Sequence, residues 1–180
     1  MTNKLVLIVL LLVTLTSGGC KLIDELRTFD IPYSVEFTVP SSTLLNLPIN
    51  LPTSSVTTDT EQQFEDEGIE SDWVESVKLS NMKLTITAPE GEDFSFLESI
   101  SIYMNTPNQP EILIADKVSV SESASNSFDL DVKNIDIYPY ISQSSFSLRT
   151  SITTDETMTQ SIDFKADLIV EVKATIPGGN

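Results

Sequence analysis

Residues 162–176 read Ile162-Asp163-Phe164-Lys165-Ala166-Asp167-Leu168-Ile169-Val170-Glu171-Val172-Lys173-Ala174-Thr175-Ile176. Apolar and polar side chains alternate with a period of two, the signature of a half-buried β-strand. Ile162, Phe164, Ala166, Leu168, Val170, Val172, Ala174 and Ile176 share one parity and are expected inward. Asp163, Lys165, Asp167, Glu171 and Lys173 are expected outward, and Pro177-Gly178-Gly179 ends the strand. A strand this long, apolar on one face, needs a second layer to cover that face.

The same period recurs upstream. Phe29, Ile31, Tyr33, Val35, Phe37 and Val39 alternate up to Pro40. Leu45, Leu47, Ile49 and Leu51 alternate with Asn46, Pro48, Asn50 and Pro52. Proline cannot donate to a ladder, so this second run reads as an edge strand or an extended crossing. Val77 and Leu79 lie on one parity and Met82, Leu84 and Ile86 on the other, which places a β-bulge near Asn81. Pro89-Glu90-Gly91 is a turn. Asp93 is expected to cap a helical turn reaching Glu98. Ile100, Ile102 and Met104 form the next strand, followed by shorter ones at 111–115, 118–120 and 128–132. Tyr138-Pro139-Tyr140 reads as an irregular or 3₁₀ turn, and Phe146, Leu148, Thr150 and Ile152 alternate again.

About eight strands, Pro-rich turns and no amphipathic helix define an all-β chain: a single antiparallel β-sandwich, immunoglobulin-like in architecture. The domain is expected over 29–180, with a mobile acidic loop at 53–72 carrying Glu61, Glu65, Asp66, Glu67, Glu70 and Asp72 and a short helix near 61–67.

The N-terminus has a different logic. Lys4 precedes an apolar run from Leu5 to Leu15, and Thr16-Ser17-Gly18-Gly19-Cys20 follows. A spanning helix needs roughly 20 apolar residues, so a run of about eleven reads as the core of a signal peptide covering 1–19. Small residues ahead of a cysteine resemble the lipobox of bacterial lipoproteins, although Ser17 stands where the strongest lipoboxes carry Leu. The resemblance implies cleavage between Gly19 and Cys20 and lipidation (palmitate or another acyl chain) of Cys20, with 20–28 as a tether. A single acyl chain holds a protein to a bilayer only marginally, so two or three chains suit a stable anchor. Cys20 is the sole cysteine, so no internal disulfide can form. In enterobacterial sorting, Asp directly after the cysteine retains a lipoprotein in the inner membrane. Lys21 stands there, which by that resemblance implies the outer membrane, and Lys21 with Asp24-Glu25 weakly resembles charged surface-export tags.

The stretch 74–176 also resembles small β-rich lipoproteins of Bacteroidota-type bacteria. Val74-Glu75-Ser76-Val77-Lys78-Leu79, Leu84-Thr85-Ile86-Thr87, Phe96-Leu97-Glu98-Ser99-Ile100 and Thr153-Thr154-Asp155-Glu156 carry that likeness. It implies fold and location, not an activity.

Removing residues 1–19 from 180 leaves 161, enough for one core. Loss of Lys4 takes the formal charge from −17 to −18, which disfavours nucleic acid and anionic headgroups as partners. The chain has no histidine, which removes His-based triads and most transition-metal sites. G-x-S-x-G, Walker A and G-x-G-x-x-G patterns do not occur. The carboxylates fall mainly on outward strand positions or in the acidic loop, which suits solvated surface charge better than a glycosidase pair. Asp129 and Asp131, flanking Leu130, and Glu65-Asp66-Glu67 are the oxygen-rich candidates for Ca²⁺, without an EF-hand loop.

Trp73, Tyr138 and Tyr140 are the candidate contacts to a partner or a sugar ring, with plugging of the sandwich end as the commoner role. No catalytic, metal or cofactor residue is assigned. The expected function is a non-enzymatic binding or structural role at the cell envelope, membrane-tethered, with an envelope protein or a glycan as partner. A lipid carrier with an apolar chamber is the alternative, and a carbohydrate-binding module a further one.

Overall fold

The computed structural model describes residues 24–41, 44–51, 55–120 and 125–178. The stretch 1–19 read as a signal peptide, and the expected cleavage and lipidation positions Gly19 and Cys20, lie outside the described residues. The architecture is a two-sheet antiparallel β-sandwich. Among the described residues there are ten strands: β1 Glu25–Val39, β2 Ile49–Leu51, β3 Ser55–Thr57, β4 Val74–Ala88, β5 Leu97–Thr106, β6 Gln109–Val118, β7 Ser127–Asp129, β8 Asp131–Val132, β9 Ser145–Thr154 and β10 Ile162–Ile176. Two short helices join them, α1 Thr60–Asp66 and α2 Tyr138–Ile141. The smaller sheet has the order β1-β10-β4-β7 and the larger β2-β9-β5-β6-β8, with β3 also on β9.

β10 lies between β1 and β4, so the most regular alternation in the sequence occupies the middle of its sheet. Its inward side chains from Ile162 to Ala174 are buried. Charge supports the same register on the outer face. Lys83 lies opposite Asp167 and Lys78 opposite Glu171 on one side of β10, and Glu36 lies opposite Lys165 on the other. Opposite charges facing each other across strands favour this register over a slip by one residue. The bulge is present: Ile169 and Val170 are consecutive, yet their partners are Asn81 and Leu79, which leaves Ser80 as the extra residue. That insertion moves the inward set of β4 from Val77 and Leu79 to Met82, Leu84 and Ile86.

Several segments differ from expectation. β1 starts at Glu25, inside the stretch read as tether, because Glu25 to Thr28 stay in register with Lys173 to Ile176. Of the second alternating run only Ile49–Leu51 pairs, with β9. Asn46 adopts a positive φ of 55° and Pro48 has no donor, so the backbone is not extended through Leu45 and Leu47. The strand read at 111–115 extends over Gln109–Val118 as β6, and no separate strand stands at 118–120, because Ser119 takes a positive φ of 60° and ends the ladder. The strand read at 128–132 divides between sheets: β7 pairs with β4 and β8 with β6. Leu130, buried at the crossing, donates its N–H to Met82 O at 2.8 Å. The chain thereby closes one side of the sandwich with a strand that changes sheets.

The other side is closed by the region read as a mobile acidic loop. Residues 55–57 are β3, and α1 packs Phe64 into the core. Gly68 takes a φ of 68°, which a side chain would strain, and ends α1. Gly68 N–H donates to Glu65 O and Ile69 N–H to Phe64 O, a Schellman closure with Phe64 and Ile69 both buried. Thr60 Oγ1 donates to Ile141 O at 2.8 Å and lies 3.0 Å from Tyr33 Oη. Its single proton is used on Ile141, so the Tyr33 hydroxyl is the donor to Thr60. Burial pushes the Tyr33 phenol above its ordinary pKa, which keeps that donor protonated.

Between the sheets, Tyr33 of β1 meets Phe146 of β9 edge to face, with centroids 5.6 Å apart. At the Val39 end, the chain passes from β4 to β5 through a 3₁₀ turn at Phe94–Phe96. Asp93 caps it by accepting the Ser95 N–H at 2.9 Å, and that hydrogen bond holds the Asp93 carboxyl below its ordinary pKa. Phe94 lies against Phe128 at 4.6 Å and Phe164 at 5.4 Å. No helix among the described residues is long and apolar enough to cross a membrane.

Candidate functional site

The three aromatic candidates do not form one exposed platform. Tyr140 is 5% exposed, and its hydroxyl donates to Pro110 O at 2.8 Å, tying α2 to β6. Tyr138 is half-buried and stacks on Phe64 of α1. Trp73 ends a 3₁₀ turn before β4 and packs, half-buried, against the core. All three pack against the core. Asp129 and Asp131 part with their two sheets. Asp129 accepts from Asn81 Nδ2 at 3.4 Å, and Asp131 pairs with Lys117 at 3.2 Å. Among the described residues no group of three or more His, Cys, Asp or Glu side chains is arranged to hold a metal ion.

A polar constellation stands instead on the outer face of the larger sheet. The alternation that buries Ile102, Met104, Phe146, Leu148 and Ile152 turns Ser99, Ser101, Tyr103, Ser147, Arg149 and Ser151 outward. Arg149 occupies the middle of this hydroxyl-rich surface. Its Nε and Nη2 donate to Glu111 Oε2 and Oε1 at 2.9 and 2.7 Å, and its Nη1 donates to Asn50 Oδ1 at 2.7 Å. The guanidinium carbon lies 4.0 Å from the centre of the Tyr103 ring. One side chain thus joins β2, β9, β5 and β6. Hydrogen bonds from Arg149 lower the Glu111 pKa, and the same bonds raise that of Arg149. The constellation provides a fixed planar cation and a polar rim. The guanidinium occupies one face of the Tyr103 ring.

Arg149→Ala is expected to lower stability by about 1 kcal/mol, solvent screening keeping it well below a buried pair. Arg149→Lys should recover little, since an ammonium has neither the fork nor the planar face. The Glu111 contribution has a defined pH sense. A carboxylate whose folded pKa is depressed stabilises above its unfolded pKa and loses that stabilisation as pH falls through the folded value. The gap between the denaturation midpoints of wild type and Arg149→Ala should therefore be widest near pH 7 and narrow as pH falls through the carboxylate range. A difference independent of pH would contradict the role given to Glu111.

A second feature is a groove of about 400 Å³ between α1 and residues 141–144, lined by Thr58, Asp59, Thr60, Glu61, Gln62 and Glu65 among others. Other grooves, of about 330 and 270 Å³, also open to solvent and have polar linings. The carboxylates from Asp59 to Glu75 have no Lys or Arg in the same run of sequence. Among the described residues Arg27 reaches across to it, donating to Glu67 O at 3.1 Å.

No protein-family model and no curated protein matches the sequence. Among solved structures, the chain is similar to a Desmodium yellow mottle tymovirus structure at 12% identity and a TM-score of 0.29, covering 84% of this chain and 90% of that one. It is similar to a 60-mer BFDV capsid protein at 9% identity and a TM-score of 0.39, covering 87% and 97%. A Triatoma virus empty capsid aligns at 9% identity and a TM-score of 0.33, covering 86% and 92%. Superpositions this loose carry no functional argument.

Proposed function

We propose that the chain is an exported lipoprotein, tethered to the outer membrane through Cys20, whose sandwich has a non-enzymatic binding or structural role. The observation that carries this reading is the position of the only cysteine. It follows an apolar leader and small residues, and the folded domain begins at Glu25 only five positions later. The lipid supplies the location and confines the domain near membrane-bound partners, where weak contacts suffice. The packed interior, with Tyr33 against Phe146 and Phe94 against Phe164, favours this reading over a lipid carrier. Occupation of one face of the Tyr103 ring by Arg149 lessens the support for sugar stacking.

The acidic segment around α1 favours a partner with a basic surface. Capture of such a partner by the detergent-solubilised lipoprotein is expected at about 0.15 M salt and lost towards 1 M, where the screening length falls from about 8 to about 3 Å. Capture that ignores salt would exclude this electrostatic mode. In a parallel hydrolase screen no turnover is expected. Turnover abolished by one Asp or Glu substitution would overturn the non-enzymatic reading.

A further inference from the structure

We propose that the Glu25 end of the sandwich faces the lipid surface, in contact with zwitterionic headgroups, and that the Val39 end stands away from it. The inference rests on the anchoring at Cys20 proposed above. Its geometry comes from the strand register. Glu25 pairs with Ile176, Ala174 pairs with Val74, and Asp24 Oδ1 accepts the Gly178 N–H at 3.0 Å, so all these groups share one end. At the opposite end Val39 pairs with Ile162, Ser99 with Val118, and Asn46 N–H donates to Thr154 O.

Two lengths decide the arrangement. Five steps of extended chain from Cys20 to Glu25 span at most about 18 Å. β1 has 15 residues and runs about 46 Å from end to end. The lipid therefore holds the Glu25 end near the headgroups, while the Val39 end cannot replace it there.

The tether alone would still allow the domain to lie on one sheet, and the faces oppose that. The outer face of the smaller sheet carries Lys78, Lys83, Lys165 and Lys173 among carboxylates, and that of the larger sheet carries the Arg149–Glu111 pair. Pressing either against lipid would desolvate charge. At the Glu25 end, by contrast, Leu26 is 64% exposed and Trp73, half-buried, offers an indole suited to a wet–apolar boundary. Glu25, Glu70, Asp72 and Glu75 at the same end select uncharged over anionic lipid.

Trp73 is the only tryptophan, so it reports on this end directly. The experiment uses the lipoprotein purified from membranes and reconstituted into phosphatidylcholine vesicles with a headgroup-linked energy acceptor. Transfer from Trp73 should be efficient. In Trp73→Phe chains with the donor moved to the far end, by Val118→Trp or Leu47→Trp, it should drop about tenfold or more, since β1 alone spans about 46 Å between the two ends. Residues 118 and 47 are 72% and 54% exposed, so neither change disturbs the core, and circular dichroism checks the fold. Equal transfer from both ends, or stronger transfer from residue 47, would overturn the orientation and show that the Leu44–Leu47 tip meets the bilayer. The mass of the N-terminal peptide separates the two proposals. Without acyl groups on Cys20 the anchoring reading fails and takes this one with it; with them, the donor positions judge the orientation alone.

Discussion

Phe94→Ala is expected to lower the unfolding free energy by about 4 kcal/mol. Phe94 is fully buried in the 3₁₀ turn that carries the chain from β4 in the smaller sheet to β5 in the larger. Its ring contacts Phe96 at 6.3 Å, Phe128 at 4.6 Å and Phe164 at 5.4 Å. Those partners come from the turn itself and from β7 and β10 of the smaller sheet, so the cavity left by truncation would open between that sheet and the turn that leaves it. Strand ladders on either side hold the walls apart, which limits collapse and keeps the cost towards the upper part of the range for such changes. Leu47→Ala is the matched control. It removes an exposed side chain at the same end and should stay within about 0.5 kcal/mol of wild type. Chemical denaturation with an unchanged slope tests both, and equal midpoints for the two variants would show that the aromatic cluster does not hold the end together.

The second large effect concerns location. Cys20→Ser is expected to move the protein almost entirely from the membrane to the soluble fraction and to abolish incorporation of labelled palmitate. A hydroxyl cannot replace the thiolate as acceptor of the lipid, and no other cysteine is present to substitute. Each buried methylene contributes about 0.8 kcal/mol to membrane retention, so loss of the acyl chains removes the main attraction. The remaining domain is strongly acidic and would be repelled by anionic headgroups. Equal label in wild type and Cys20→Ser would place the lipid elsewhere or nowhere.

The strands were legible where one physical rule acted alone. In β10 and β9 the period of two coincides with burial on one face, and the structure follows it residue by residue. The bulge in β4 was legible as well, because an inserted residue must invert parity. Elsewhere a local pattern competed with tertiary pairing. Leu45 and Leu47 alternate as a strand does, yet Asn46 turns the backbone and leaves both exposed. Phe128 to Val132 alternates continuously, but a sequence period does not say which sheet receives each half. In the acidic segment, charge obscured a usable signal. Phe64, Gly68 and Ile69 have the spacing of a helix that ends in a glycine closure with an apolar contact across it. The Arg149 constellation could not be read at all. Its partners Glu111 and Asn50 lie 38 and 99 positions away, and only the order β2-β9-β5-β6 brings them together. Conversely, Trp73, Tyr138 and Tyr140 stood out as aromatics with a polar handle outside the alternating strands, although each packs against the core.

Whether the sandwich is carried on a lipid at Cys20 is read from the mass of the N-terminal peptide of the protein extracted from membranes. The expected chain begins at Cys20, lacks residues 1–19 and carries a diacylglyceryl group on sulfur with a further acyl group on the amino terminus. A mature chain that begins elsewhere, or an unmodified Cys20, would contradict it.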